Sequence, residues 1–342
     1  MPVLPRKLAA TALAATALVA LAVPSTQAAK KKTTDVTFMT RNLFLGADLI
    51  PLATTKGEEF ERAAGNLLNT VKATDPDGRM KLVAGEIAKA KPDLVGLQEV
   101  TLWKTGPKND PAPANAVVID YLATLKRELA ARGASYRVVA DQRTLSLEGP
   151  TDQNVDLRFT DGNVVLARKG VKVTKARSSD FKSQLQIPTQ QMGTISVNRS
   201  FNQLNASVRG AKLHLVNAHL EAYSPDTRLQ QAKELVAGPL RSKLPTVLVG
   251  DLNSGPNLAK PEDRPPYKAI AKAGFKEART SKPQCCFNDD LKSGKLDHIV
   301  DHIMAKPKLG LVKSFITGIE TTAGGLHPSD HGGVVSVLRF RR

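Results

Sequence analysis

The sequence predicts a layered α/β domain with mixed sheets. Three observations carry this. Strand-like and helix-like apolar patterns alternate along the chain. Hairpin-like pieces interrupt the alternation, so antiparallel neighbours must join parallel ones. Hydrophobic residues make up 41% of the 342, enough for a full core. Aromatic residues are only 4%, so that core must rest on Val, Leu, Ile and Ala. No internal repeat or second domain boundary is visible, which favours one large domain over two small ones.

The chain opens on a segment outside that core. Arg6 and Lys7 precede an apolar, Ala-rich run from Leu8 to Val23, and Ser25–Ala29 offers small residues for cleavage. This is a secretory signal pattern, and the run is short for a membrane span of about 20 residues. We expect residues 1–28 to be a signal peptide, 29–34 a basic disordered tail and 35–342 the catalytic domain, secreted and extracytoplasmic.

Val36–Met39 is strand-like and leads to Arg41–Asn42. Met80, Val83, Ala84, Ile87 and Ala88 recur at helical spacing until Lys91-Pro92 stops them. The strand Leu94–Gln98 follows and ends at Glu99. Val118, Tyr121, Leu122, Leu125 and Leu129 mark a second helix, closed by Arg132-Gly133. Tyr136–Ala140, Asn163–Arg168, Lys172–Ala176, Phe201–Val208 and Lys212–Ala218 read as strands, the last pair joined by a tight turn at Arg209-Gly210. Ser224-Pro225 is a cap and first helical residue, followed by the stripe Leu229, Ala232, Val236. Val247–Val249 and Val334–Leu338 are further strands. Gly106–Asn115, Glu148–Thr160, Ser178–Ser196, Asn257–Pro266 and Ser281–Lys295 read as loops.

Several of these strands end in polar residues. VLVGDLN (Val247–Asn253) places Asp251 and Asn253 on one side of an extended chain, a carboxylate beside an amide. LVGLQ ends at Glu99, LHLVNA ends at His219, and Ser329-Asp330-His331 precedes the Val334 strand. One such end is an ordinary turn signal; five in one chain point to a shared site. Trp103 reads as a packed loop aromatic, with a substrate platform as the alternative. His214 reads as a core or sheet-face histidine.

Charge and cysteines bound the rest. Residues 1–28 hold two cations and no acid, so the net charge of +17 becomes +15 without them. Such a protein favours anionic partners: nucleic acid, phospholipid headgroups or acidic polymers. The only cysteines, Cys285 and Cys286, are adjacent, which rules out a disulfide framework and leaves buried thiols or a neighbour-to-neighbour bridge.

Taken in order, TRNLFLGADL (Thr40–Leu49), PDLVGLQEV (Pro92–Val100), NAHLEA (Asn217–Ala222), VLVGDLNS (Val247–Ser254), DHIMAKP (Asp301–Pro307) and SDHGGV (Ser329–Val334) resemble the endonuclease/exonuclease/phosphatase superfamily. The superfamily includes deoxyribonucleases, exonuclease III-like enzymes and sphingomyelinases. The resemblance implies a four-layer αββα sandwich with two mixed β-sheets and a site at the strand ends. It also implies a metal-dependent phosphoesterase using a metal-activated water. Implied metal residues are Asn42, Glu99 and Asp330, with Mg²⁺ as cofactor and Mn²⁺ or Ca²⁺ as substitutes; a hard carboxylate suits such ions. Implied catalytic residues are His219, Asp251, Asn253, Asp301 and His331. Asp301 is preferred to Asp297 as the partner of His331, because Ile303–Pro307 better matches the family strand.

The expected substrate is a polyanion, nucleic acid first, with membrane phospholipid or sugar phosphate as alternatives and no obligate protein partner. A catalytically silent binding module on the same fold is the reading from another class. No apolar hairpin suited to a membrane is visible in the sequence.

Overall fold

Alternation along single strands divides the core between two faces. The computed structural model describes residues 1–3 and 32–342. The expected signal peptide, beyond its first three residues, and the tail through Lys31 lie outside the described residues. The tail reading is corrected at its far end: Thr33 and Thr34 are strand residues paired with Arg341 and Phe340.

Two large sheets form among the described residues. The first holds β1 (Thr33–Asn42), β2 (Leu94–Gln98), β3 (Leu102–Pro107), β4 (Ala116–Asp120), β5 (Tyr136–Pro150), β6 (Val155–Arg168), β17 (Gly310–Thr317) and β18 (Gly333–Arg341), ordered β17-β18-β1-β2-β6-β3-β4 with β5 on β6. The second holds β7 (Lys172–Asp180), β10 (Ser200–Val208), β11 (Ala211–His219), β12 (Thr246–Asp251), β13 (Lys276–Glu277) and β16 (Asp301–Lys306), ordered β13-β16-β12-β11-β10-β7. Both are mixed: β1–β2 and β11–β12 are parallel, their other pairings antiparallel. Two small hairpins stand apart, β8 (Leu185–Pro188) with β9 (Thr194–Val197) and β14 (Cys285–Phe287) with β15 (Gly294–His298).

The helices are α1 (Ile50–Thr54), α2 (Gly57–Ala73), α3 (Pro76–Ala90), α4 (Tyr121–Ala131), α5 (Pro225–Ala237) and α6 (Pro265–Lys272). Phe38, Leu94 and Val165 point inward to meet Leu215, Val247, Val249 and Ile303 between the sheets. Their chain neighbours Met39, Val95 and Leu166 point outward, against Met80, Ile87 and Leu125 of α3 and α4. On the other side Val216, Leu248 and Met304 meet Ala232 and Leu235 of α5 and Ile270 of α6. A period of two thus builds helix, sheet, sheet, helix, the four-layer αββα sandwich expected. Gly96 lets the sheets approach: a Cβ there would lie 2.4 Å from Asn217 Oδ1 and 2.6 Å from Val249 Cγ2.

Local chemistry sets the ends. Ser224 caps α5 by accepting from the Thr227 N–H, with Pro225 at the first helical position, as the sequence indicates. Asp120 caps α4 through the Ala123 N–H, so that helix starts at Tyr121 and Val118 belongs to strand β4. Trp103 lies in β3, fully buried and 4.6 Å from the Phe159 ring, so it is core and not a platform. Glu148–Thr160 is mostly the tip of the long β5–β6 hairpin, and Ser178–Ser196 contains the β8–β9 hairpin. In the sequence both look like loops because their polar residues hide the alternation.

Candidate active site

Register brings the polar strand ends together. His219 pairs with Asp251 across β11–β12, and Asp251 pairs with Asp301 across β12–β16. Residues directly opposite each other share a face, so these three form one row at the edge of the second sheet. In the first sheet Asn42 pairs with Gln98, beside Glu99. Glu99 and Asn253 both adopt positive φ, at 53° and 45°. Such left-handed backbone is uncommon outside glycine and concentrates at functional positions. Gly250, at φ 146°, admits the close passage before Asp251: a Cβ would sit 1.9 Å from Ala218 O.

Asn42 joins the two sheets. Its Nδ2 donates to Glu99 Oε1 at 3.0 Å and to Asp251 Oδ2 at 3.1 Å, while its Oδ1 accepts from the Phe44 N–H at 2.9 Å. The oxygen accepts from backbone and the nitrogen faces the carboxylates, so in this arrangement Asn42 positions Glu99 and Asp251. The other Glu99 oxygen accepts from the Leu45 N–H at 2.7 Å. Asp251 Oδ1 accepts from the Asn253 N–H at 2.8 Å. Asn253 Nδ2 donates to Leu220 O at 3.0 Å and stands 3.3 Å from His219 Nε2.

His331 Nδ1 stands 2.7 Å from Asp301 Oδ2, which also accepts from Gln284 Nε2 at 2.9 Å. Its Nε2 faces the cleft, 3.9 Å from both Asp251 Oδ2 and Asp330 Oδ2. Asp297 lies elsewhere, 2.5 Å from His298 and partly exposed. His214 is buried between Asn205 Oδ1 and Pro239 O, a sheet-face histidine on the interior strand β11 and five residues before His219. Cys285 and Cys286 are bonded to each other, with sulfurs 3.5 and 3.9 Å from His331 Nε2. Bonded sulfurs are not thiolate ligands, so the Cys285/Cys286/His331 group is a poor metal site.

Burial and crowding set the charges. Asp251 is pushed up to about 7 by burial and then by the neighbouring Asp301. Asp330 rises to about 6 through burial, with Glu99 adding to it. Burial pulls His331 down, but Asp301, Asp330 and Asp251 together hold it well above the usual imidazole range. Burial, Arg199 and His331 hold His219 well below that range.

The structure adds residues the motifs do not contain. Arg199 Nη1 lies 3.2 and 3.3 Å from the two ring nitrogens of His219, and its Nε donates to Glu221 Oε2 at 3.4 Å. Asp161 is buried beside them and pushed up to about 7 by burial and Glu99. Beneath the site Gln98 Nε2 donates to Asn217 Oδ1 at 2.6 Å, and Asn217 Nδ2 donates to Asn202 Oδ1 at 3.0 Å, tying the sheets with buried amides. A lone Arg before a strand carries no sequence signal. Asp161 interrupts an apolar strand, and that interruption was the available clue.

Two facing mixed sheets with acids, amides and histidines at their strand ends define a class of phosphoester-cleaving proteins. The sequence model of the Endonuclease/Exonuclease/phosphatase family matches residues 64–331, and the chain belongs to that family. No curated protein matches the chain by sequence. Solved structures share the fold. An endonuclease/exonuclease/phosphatase from Beutenbergia cavernae aligns with 19% identity over 90% of this chain and 72% of its own, TM-score 0.56. One from Bacteroides vulgatus aligns with 17% identity over 90% and 100%, TM-score 0.54. D. rerio TDP2 complexed with single-strand DNA product aligns with 18% identity over 89% and 99%, TM-score 0.50.

Proposed function

We propose that the protein is an exported, divalent-metal-dependent phosphoesterase. The observation that supports it most is the bridge made by Asn42. One amide holds a carboxylate from each sheet, while His331 is oriented by Asp301 across the same cleft.

The donor set fits a hard cation. Glu99 and Asp330 offer carboxylate oxygens, and Glu99 adds to the upward push on both Asp330 and Asp161. Such mutual repulsion is what a divalent cation relieves. Glu99 and Asp330 would hold it. A bound Mg²⁺ would neutralise phosphate charge and acidify a water.

The chain's own groups do the rest. Asp251, near neutrality and fixed by Asn42 and Asn253, is placed to take the proton of the attacking water at Oδ2. Protonated His331 donates to phosphate oxygens as charge develops, while Arg199 stays on Glu221 and beside His219. Neutral His219, beside Asn253, adds a hydrogen bond without adding charge.

The excess of positive charge supports a polyanionic substrate, nucleic acid first, and the fold's occurrence in a protein bound to single-strand DNA product is compatible with that. The lining of the cleft supports a lipid phosphoester instead. The function itself is tested with bis-p-nitrophenyl phosphate, plasmid DNA, RNA and phospholipid in Mg²⁺, in Mn²⁺ and in excess chelator. Turnover should require the cation and fall by about 10²-fold or more in Glu99→Gln, which keeps the shape and loses the charge. Full turnover in chelator would refute metal dependence. Sequencing the N-terminus of the protein recovered from culture medium checks export; a retained Met1 would refute cleavage near residue 28.

A further inference from the structure

The polar strand ends open into a chamber of about 570 Å³ whose far side is apolar. That volume is in the range that holds an organic group much larger than a phosphate. Glu99, His219, Asp251 and His331 form one end. The other is built by Leu49, Leu147, Phe159, Ile187, Met192 and Ile195, from three separate parts of the chain. Leu49 precedes α1, Leu147 and Phe159 face each other across β5–β6, and the last three belong to the β8–β9 hairpin and its turn. Two large side chains at the rim, Ile50 and Tyr223, are exposed by 52% and 63%. The apolar surface therefore runs from beside the reacting centre out to solvent.

Charge is distributed against a nucleic-acid strand here. Arg199 is the sole Lys or Arg among the lining residues, and it is already engaged by Glu221 and His219. A strand needs several phosphate contacts and stacking faces; of the two lining aromatics Phe159 is packed on Trp103, which leaves the single ring of Tyr223 at the rim. An alkyl chain needs only a dry apolar wall.

Resting on the phosphoesterase reading, we infer that the substrate is a lipid phosphoester, with its phosphate at the strand ends and an ester-linked aliphatic chain in the chamber. In hydrolysis the water oxygen forms the new P–O bond, the P–O bond to the leaving alcohol breaks, and that alcohol departs with a proton. The general excess of cations outside the chamber then serves attraction to an anionic lipid surface.

The test is a series of p-nitrophenyl phosphates esterified with methyl, butyl or octyl alcohol, assayed with Mg²⁺ below their self-association concentrations. Each buried methylene contributes at most about 0.8 kcal/mol, roughly fourfold. We expect kcat/KM to rise on the order of tenfold or more from methyl to butyl, and again to octyl. Ile195→Asp should flatten the series while leaving the methyl ester within about threefold. Met192→Ser, a milder change at the hairpin turn, should flatten it partly and covers the case in which Ile195→Asp does not fold. Vesicles of phosphatidylglycerol distinguish the source. Headgroup release points to bilayer lipid, and a chain-length effect without it points to a dissolved single-chain ester; both uphold the inference. A flat series in a protein that cleaves the methyl ester overturns the inference and leaves the phosphoesterase reading intact. Cleavage of DNA or RNA with a flat series replaces it with a nuclease. No cleavage of any ester or strand in Mg²⁺, Mn²⁺ or Ca²⁺ overturns both.

Discussion

His219 and His331 reach one cleft from opposite sides and are held in opposite charge states. His331 sits against Asp301 and Asp330, and its proton is retained. His219 sits against Arg199 and is kept neutral. Both are buried, so burial alone does not separate them; the sign of the neighbouring charge does. One imidazole is set up to donate to a phosphate and the other to sit beside it without repelling an arginine. Residue type announces a titratable group, and its neighbours decide what that group does.

Breaking the His331 side should have the larger effect. Asp301→Asn removes the carboxylate that orients the ring through Nδ1–H and stabilises its charge, and turnover should fall by about 10²-fold or more at neutral pH. Asp297→Asn, whose partner is the exposed His298, should stay within about twofold. Steady-state rates on one ester decide this, and the opposite ranking would mean that His331 is oriented by something else.

Altering the His219 side should shift pH dependence more than rate. Arg199 is one of the charges that hold the His219 pKa down. In Arg199→Gln that pKa rises, so His219 becomes protonated at higher pH. The acidic limb of kcat/KM should then move to higher pH, with a loss of about tenfold near pH 6. An unmoved limb would show that His219 does not titrate in the rate.

The smallest effect is on metal-free stability. The Asp161 carboxyl has an ordinary value of 3.8 and is raised to about 7 in the fold by burial and Glu99. Its folded form therefore keeps a proton that the unfolded chain has lost. The resulting stability is fully present below about pH 4 and is lost as pH rises through 7. Thermal unfolding in chelator should show the native protein weakening between about pH 4 and 7, and Asp161→Asn weakening less. Equal slopes would place the titration elsewhere.

Much of this molecule is legible in its one-dimensional pattern. Apolar runs of strand length mark β2, β11 and β12 because those strands are covered on both faces and need no polar alternation. Ser224-Pro225 marks the start of α5 because capping is local chemistry. The residues Glu99, His219, Asp251 and His331 stand out because polar groups at either end of a buried strand require a reason. Asp120 shows the limit of the same reasoning. Its cap starts α4 three residues later than the apolar spacing suggests, and Val118 goes to a strand.

What only the tertiary structure decided is which groups meet. Arg199 enters the site because β10 lies beside β11, and the Asn42 amide turns its nitrogen inward because Phe44 N–H claims its oxygen. The apolar chamber arises from three segments far apart in the chain, none of which is unusual alone. The sequence by itself determined the buried strands, the main helices and the chemical identities at the strand ends, since those depend on periodicity and local capping. Contact, charge state and the shape of the cleft depend on register between distant strands, and no local pattern encodes that.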